Sequence, residues 1–283
     1  MRTFRSVVVV AVLVASSALA QPVGEEVVER GSPPAGIQPR LELLLYPVRA
    51  QINPLYTNHV GSSGAVQLRL SDSFAFMISG GYDWFSSVSP FNAQLVENFR
   101  VEEQASQSLL WTWSTLAGVE VSPAFGQLRV GNSGTRFGLF LNGGLGAGGS
   151  RHQLIPATEL RASPMYGDTG VRFLGSLGAG LRVQLGERLT IRLEVRDVAA
   201  SGAVSTVNGC SGADLRTIQR SFNLADDFES GSIGSSCRTD AFMDGSGPSR
   251  LAGVSSALSL TQSNSQAPLI HTVTAALGAS FVF

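Results

Sequence analysis

Between residues 189 and 198 the chain alternates without interruption: Leu189, Ile191, Leu193 and Val195 fall on one side, Thr190, Arg192, Glu194 and Arg196 on the other. A repeat of two is the period of a β-strand, whose successive side chains point to opposite faces. One face here is aliphatic and the other is charged, which narrows the possible folds sharply. An isolated buried charge costs several kcal/mol, so a charged face does not fit a dry sandwich core. Residues 171–185 repeat the pattern, with Val171, Phe173, Leu177, Leu181, Val183 and Leu185 against Arg172, Ser176, Arg182 and Gln184. Residues 270–283 do the same, and comparable runs at 41–48, 65–70, 74–84, 111–122 and 137–148 bring the number to eight.

The links between runs sort by parity. Those after the second and sixth are tight (71–73 and 186–188), and that after the fourth is intermediate (123–136). Those after the first, third, fifth and seventh are long, at 49–64, 85–110, 149–170 and 199–269. Short turns on one side and long loops on the other mark an outer-membrane barrel, whereas a soluble sandwich has no reason to segregate its loops. The expected fold is therefore all-β: a transmembrane, antiparallel, up-and-down barrel of eight strands with long extracellular loops.

Aromatic residues sort the same way. With the first strand rising outward, Tyr82, Trp84, Trp111 and Trp113 lie at the outer ends of their strands. Phe74, Phe76, Phe137, Phe281 and Phe283 lie at the inner ends. Two aromatic girdles at the membrane–water interfaces are expected of a barrel; the alternative is a sandwich core. The opposite face collects Glu42, Gln67, Arg69, Asp83, Glu120, Arg172, Arg182, Gln184, Arg192, Glu194 and Arg196. Eight strands enclose a space that side chains can fill, so an ion-paired plug is expected, with a charged pore lining as the alternative. Gly118, Gly144, Gly146, Gly178 and Gly180 would relieve crowding there.

Composition agrees. The chain is 43% apolar and 14% charged with a net charge of −1, against both disorder and electrostatic nucleic-acid binding. After the first 20 residues no uncharged apolar run reaches the ~18 residues of a membrane helix. Residues 1–20 read as a cleaved signal: Arg2 and Arg5, an apolar stretch at 7–15, then Ala18-Leu19-Ala20. Residues 21–38 read as a periplasmic linker and 39–283 as the barrel. Export favours oxidation, so Cys210 and Cys237 are expected to form a disulfide within the 199–269 loop. That loop would serve as a contact surface or as a lid over the mouth. Residues 251–260 alternate loosely and could extend a hairpin above the membrane.

No chemistry-bearing constellation emerges. His59 and His152 fall in loops and His271 near the outer end of the last strand; Ser150 and Asp168 neighbour His152 in sequence, but no Gly-x-Ser-x-Gly elbow is present. Residues 226–229 are acidic without the alternating oxygen ligands of a calcium loop. Gly178-Ala179-Gly180 lies inside a strand rather than at a phosphate loop. The expectation is no enzyme, no metal and no cofactor. Phe283, ending an amphipathic strand, resembles the signal read by the outer-membrane assembly machinery.

Several segments resemble a family. They are Pro39-Arg40-Leu41-Glu42-Leu43, Leu70-Ser71-Asp72-Ser73-Phe74, Ser79-Gly80-Gly81-Tyr82, Val121-Ser122-Pro123-Ala124-Phe125-Gly126, Leu141-Asn142-Gly143-Gly144-Leu145-Gly146 and the run at 189–197. Together they are similar to the outer-membrane β-barrel domain family abundant in myxobacteria, several members of which belong to the gliding-motility machinery. The resemblance covers about residues 39–199 and the last strand. Gln127 departs from it, standing where a lysine is expected after Phe-Gly. It implies a structural or interaction role in an envelope complex, with outer-membrane lipid and periplasmic or outer-membrane proteins as partners. Residues 23–38 and 123–136 would be the inner contacts. A narrow solute channel and a lipid-modifying enzyme at the rim are the second and third readings.

Overall fold

A computed structural model describes residues 39–54, 56–91, 109–130, 133–155, 164–185, 188–224, 233–242, 247–262 and 269–283. The expected signal and linker, residues 1–38, lie outside the described residues. Seven strands follow one another: β1 (Arg40–Gln51), β2 (Thr57–Arg69), β3 (Phe74–Val88), β4 (Leu110–Val130), β5 (Ser133–Ile155), β6 (Met165–Leu185) and β7 (Leu189–Ser201). An insertion then holds a two-stranded hairpin, β8 (Thr206–Val207) and β9 (Cys210–Ser211), and two helices, α1 (Gly212–Leu224) and α2 (Gly247–Gln262). The final strand is β10 (Leu269–Val282). Strands β1–β7 and β10 close into an antiparallel barrel in the order β1-β10-β7-β6-β5-β4-β3-β2. Closure pairs Leu43 with Phe281 and leaves the circuit without an end strand.

Which side of the wall each residue takes follows from the alternation. Glu42, Leu44 and Tyr46 are buried inside, while Leu41, Leu43 and Leu45 face out. Around the circuit the exterior is aliphatic: Ile78, Leu141, Leu145, Phe173 and Leu193 are exposed, and Leu177 is 74% exposed. A water-soluble barrel would turn these side chains inward. The neighbouring strands β4 and β5 crowd each other on one face, where only glycine fits. A Cβ on Gly118 would strike the Gly143 carbonyl, and one on Gly146 the Thr115 carbonyl. Among the described residues no helix is long and apolar enough to cross a membrane.

Four expectations are corrected. Trp111 is not in the outer girdle: it is 5% exposed, and its indole N–H donates to Thr272 Oγ1 across the lumen at 3.0 Å. A bulge between Trp111 and Trp113 breaks the parity that placed both on one face. The link after the first strand is short, residues 52–56, because β2 begins at Thr57. The middle of β2, Gly61-Ser62-Ser63-Gly64, is too small and polar to show alternation. Likewise β4 and β5 run on beyond the expected link as a ladder paired as far as Val130 and Ser133. Finally, residues 251–260 belong to α2 rather than to a β-extension.

Loops and turns thus define two ends of the barrel. The turn end carries residues 70–73, the Val130–Ser133 end of the β4–β5 ladder and Arg188; the loop end carries the insertion. The insertion packs around its own apolar core, which includes Val207, Cys210, Leu215, Ile218, Phe242 and Val254. That core also takes in Leu154 of β5, Met165 of β6 and Ile270 of β10, so it seats directly on the barrel rim.

Candidate functional site

The turn-end half of the lumen is crossed by a charged network centred on Arg192, which is 0% exposed. Strand β7 aims it inward because its even-numbered residues share the lumen face with Glu194 and Arg196. Its guanidinium donates to Glu120 on β4, stands 3.9 Å from Glu42 on β1, and lies over the Phe140 ring at 4.2 Å. Its Nε also donates to the Tyr46 hydroxyl at 3.1 Å, which donates onward to Glu194 at 2.7 Å. Glu194 in turn accepts from Arg196 at 2.6 Å.

Glu42 and Glu120 are each shared. Arg69 donates to Glu42 at 2.7 Å and lies 3.5 Å from Glu120. Arg182 reaches Glu120 at 3.4 Å, donates to the Asp72 carbonyl in the β2–β3 turn at 2.9 Å, and sits over the Phe125 ring. The Ser280 hydroxyl of β10 donates to Glu42. Five strands (β1, β2, β4, β6 and β7) contribute charges to this network, so its cross-lumen contacts tie opposite walls together. Removing one partner of such a buried pair costs about 3–5 kcal/mol, because the other charge is left stranded.

Two of the expected lumen residues are buried but stand apart from the Arg192 network. Asp83 pairs with Arg49, which accompanied none of the expected residues: Nη2 donates to Oδ2 at 2.8 Å and Nε to Oδ1 at 3.3 Å. Parity along β1 would send Arg49 outward, but a register shift between Tyr46 and Arg49 brings it inside. The sequence carried a signal for this in Pro47, since proline within a strand marks an edge or a bulge. Among the described residues Arg172 meets no carboxylate. It donates to the Ser150 hydroxyl at 2.7 Å and to the carbonyls of Ser201 and Ala203, tying the entry of the insertion to the barrel wall.

Histidines take separate places. The Trp111 backbone N–H donates to His59 Nε2 at 2.9 Å, so Nδ1 carries the proton and donates to Gln51 Oε1 at 2.6 Å. His152 is buried beside the barrel rim. Ser150 is engaged by Thr169 and Arg172, and Asp168 by Arg238 at 3.2 Å. His271 meets Asp197 at 2.8 Å on the exterior face of β7 and β10.

The exterior aromatics occupy the two ends. Tyr82, Trp84 and Trp113 are exposed at the loop end; Phe76, Phe137, Phe281 and Phe283 are exposed at the turn end. Phe74 stands edge-on to Phe76, with ring centroids 5.2 Å apart. In the insertion, Cys210 and Cys237 are bonded across 27 residues. Ser211 and Asp214 form a reciprocal cap at the start of α1: Asp214 accepts from the Ser211 N–H and hydroxyl, and its own N–H donates to Ser211 Oγ. Asp214 also accepts from the Gly234 N–H at 2.9 Å, which anchors the segment leading to Cys237. Partial burial would raise its pKa, but the hydrogen bonds from Gly234 and Ser211 outweigh that and hold it below the usual aspartate value.

No protein-family model and no curated protein matches the chain.

Proposed function

We propose that this chain is an integral outer-membrane β-barrel that acts as a non-catalytic structural and interaction component of an envelope complex. The observation that carries this reading is the inversion of the wall, aliphatic outside and ion-paired inside. In a bilayer every backbone polar group must be satisfied internally, and a closed barrel does so. Aromatic side chains at both ends of the exterior fit the two interfaces. By the usual asymmetry of such barrels, the turn end faces the periplasm and the folded insertion faces outward.

The Arg192 network crosses the lumen from β7 to β1 and β4 with Arg192 fully buried, which supports a plugged barrel over a channel. Two surfaces remain for partners: the disulfide-tied cap outside, and the turn end with its projecting β4–β5 hairpin. The sharpest version, resting on the family resemblance, is a component of the gliding-motility machinery. Deletion of the gene and affinity purification of the tagged protein test it. A motility defect with co-purifying periplasmic proteins is expected; normal gliding with no envelope partner would remove the motility reading.

A further inference from the structure

We infer that the turn end of the barrel is a binding site for an extended acidic peptide, held by Arg40 and Arg136. This rests on the reading that the turn end faces the periplasm. By strand parity Arg40 on β1 and Arg136 on β5 share the lumen face with Glu42 and Phe140, and both are exposed. Strands β1 and β5 stand opposite each other in the circuit, so the two arginines flank the mouth. Below them lie Arg69, Arg182 and Arg192, and Arg188 occupies the β6–β7 turn.

Among the described side chains at this end, charge does not balance. Against these arginines the described carboxylates are Glu42 and Glu120, already engaged by Arg69, Arg182 and Arg192, and Asp72. No ion pair among the described residues involves Arg40 or Arg136. A guanidinium offers a planar fork that carboxylates match two bonds at a time, and uncompensated charge of one sign recruits the other.

Backbone geometry favours a peptide. Strand β3 pairs with β4 only as far as Val121, while β4 continues against β5 from Ala124 to Val130. Along that stretch β4 has no described ladder partner on its other side, so an extended chain can add to it as a strand. Bilayer lipid is the poorer occupant. Arg40 and Arg136 lie on the parity opposite to Leu41, Phe137 and Leu139, which are the residues exposed on the exterior.

The test uses the barrel folded in detergent micelles and fluorescein-labelled hexaglutamate, read by anisotropy. Saturable binding that weakens with salt is expected. The R40A/R136A variant should lose about tenfold in affinity, the scale of a charge-assisted hydrogen bond. R216A/R220A, on α1 of the cap, should bind like the parent. Heat-modifiable gel mobility shows that each variant is folded. Absence of saturable binding, or equal binding by R40A/R136A, overturns the proposal. So does an effect of R40A/R136A confined to nanodiscs containing phosphatidylglycerol, which would assign the site to lipid. If hexaglutamate fails to bind but the barrel inserts into bilayers, only the peptide site is lost; failure to insert removes the outer-membrane reading as well.

Discussion

Arg49 holds Asp83 with two parallel hydrogen bonds, of 2.8 and 3.3 Å, from a position that simple alternation would assign to the outside of the barrel. The bulge that turns it inward creates a second ionic layer nearer the loop end, separate from the network around Arg192. Asp83 is almost wholly buried, and among the described residues Arg49 is the cation it pairs with. Replacing Arg49 by alanine should lower stability by about 3–5 kcal/mol. The double variant R49A/D83A should lose less than Arg49→Ala alone, because no stranded carboxylate remains. Urea unfolding in micelles, followed by tryptophan fluorescence, measures both.

The three tryptophans should divide by environment. Trp84 is 56% exposed on the exterior and Trp113 is exposed there too, whereas Trp111 bonds to Thr272 inside. In single-tryptophan variants reconstituted with brominated lipids, Trp84 and Trp113 should be quenched and Trp111 should not. Equal quenching of all three would place Trp111 on the outer wall.

Arg192 should be what closes the lumen. The parent protein is expected to give no single-channel conductance in planar bilayers. Arg192→Ala removes the side chain that spans from Glu42 to Glu120 and should open a measurable current. A conducting parent, or a silent and correctly folded Arg192→Ala variant, would contradict the plug.

The cap should come apart without the barrel. Its disulfide closes a 27-residue separation, worth about 3 kcal/mol in the loop-entropy model. The C210S/C237S variant should therefore be nicked readily by protease within the insertion. Its barrel should keep its heat-modifiable mobility, since the strands do not depend on the bridge.

Acid should loosen the same region. The depressed pKa of Asp214 means that its contribution is present above the usual aspartate value of 3.8 and is lost as pH falls through the lower folded value. Pepsin sensitivity of the cap should rise across that acidic range. Asp214→Asn should show greater sensitivity already at higher pH and a flatter profile.

Much of the barrel was legible because its wall separates oil from charge, and period-two alternation reports that separation wherever the side chains are large. Glu42, Arg69, Glu120, Arg182, Arg192, Glu194 and Arg196 could be placed together on that basis alone. Parity counting fails wherever a bulge intervenes: the misplaced Trp111 adjoins one, and so does Arg49, which alternation alone leaves at the start of a loop. Strand ends were hidden where Gly61 to Gly64 carry no contrast. The cap was harder for a different reason. Helix α1 did leave a signature, in the Ser211-x-x-Asp214 cap and the Leu215–Ile218 spacing, but α2 mixes serine and leucine with little polar contrast between its faces. Its core is also completed by Leu154, Met165 and Ile270 from distant strands, which no local pattern can announce.

Membrane integration of the mature protein is the decisive measurement. Cells expressing it should yield the chain in the outer-membrane fraction, resistant to carbonate extraction, and the purified protein should stay folded and monodisperse only in detergent or bilayers. A chain recovered folded and monodisperse in plain aqueous buffer would contradict an exterior built to face lipid.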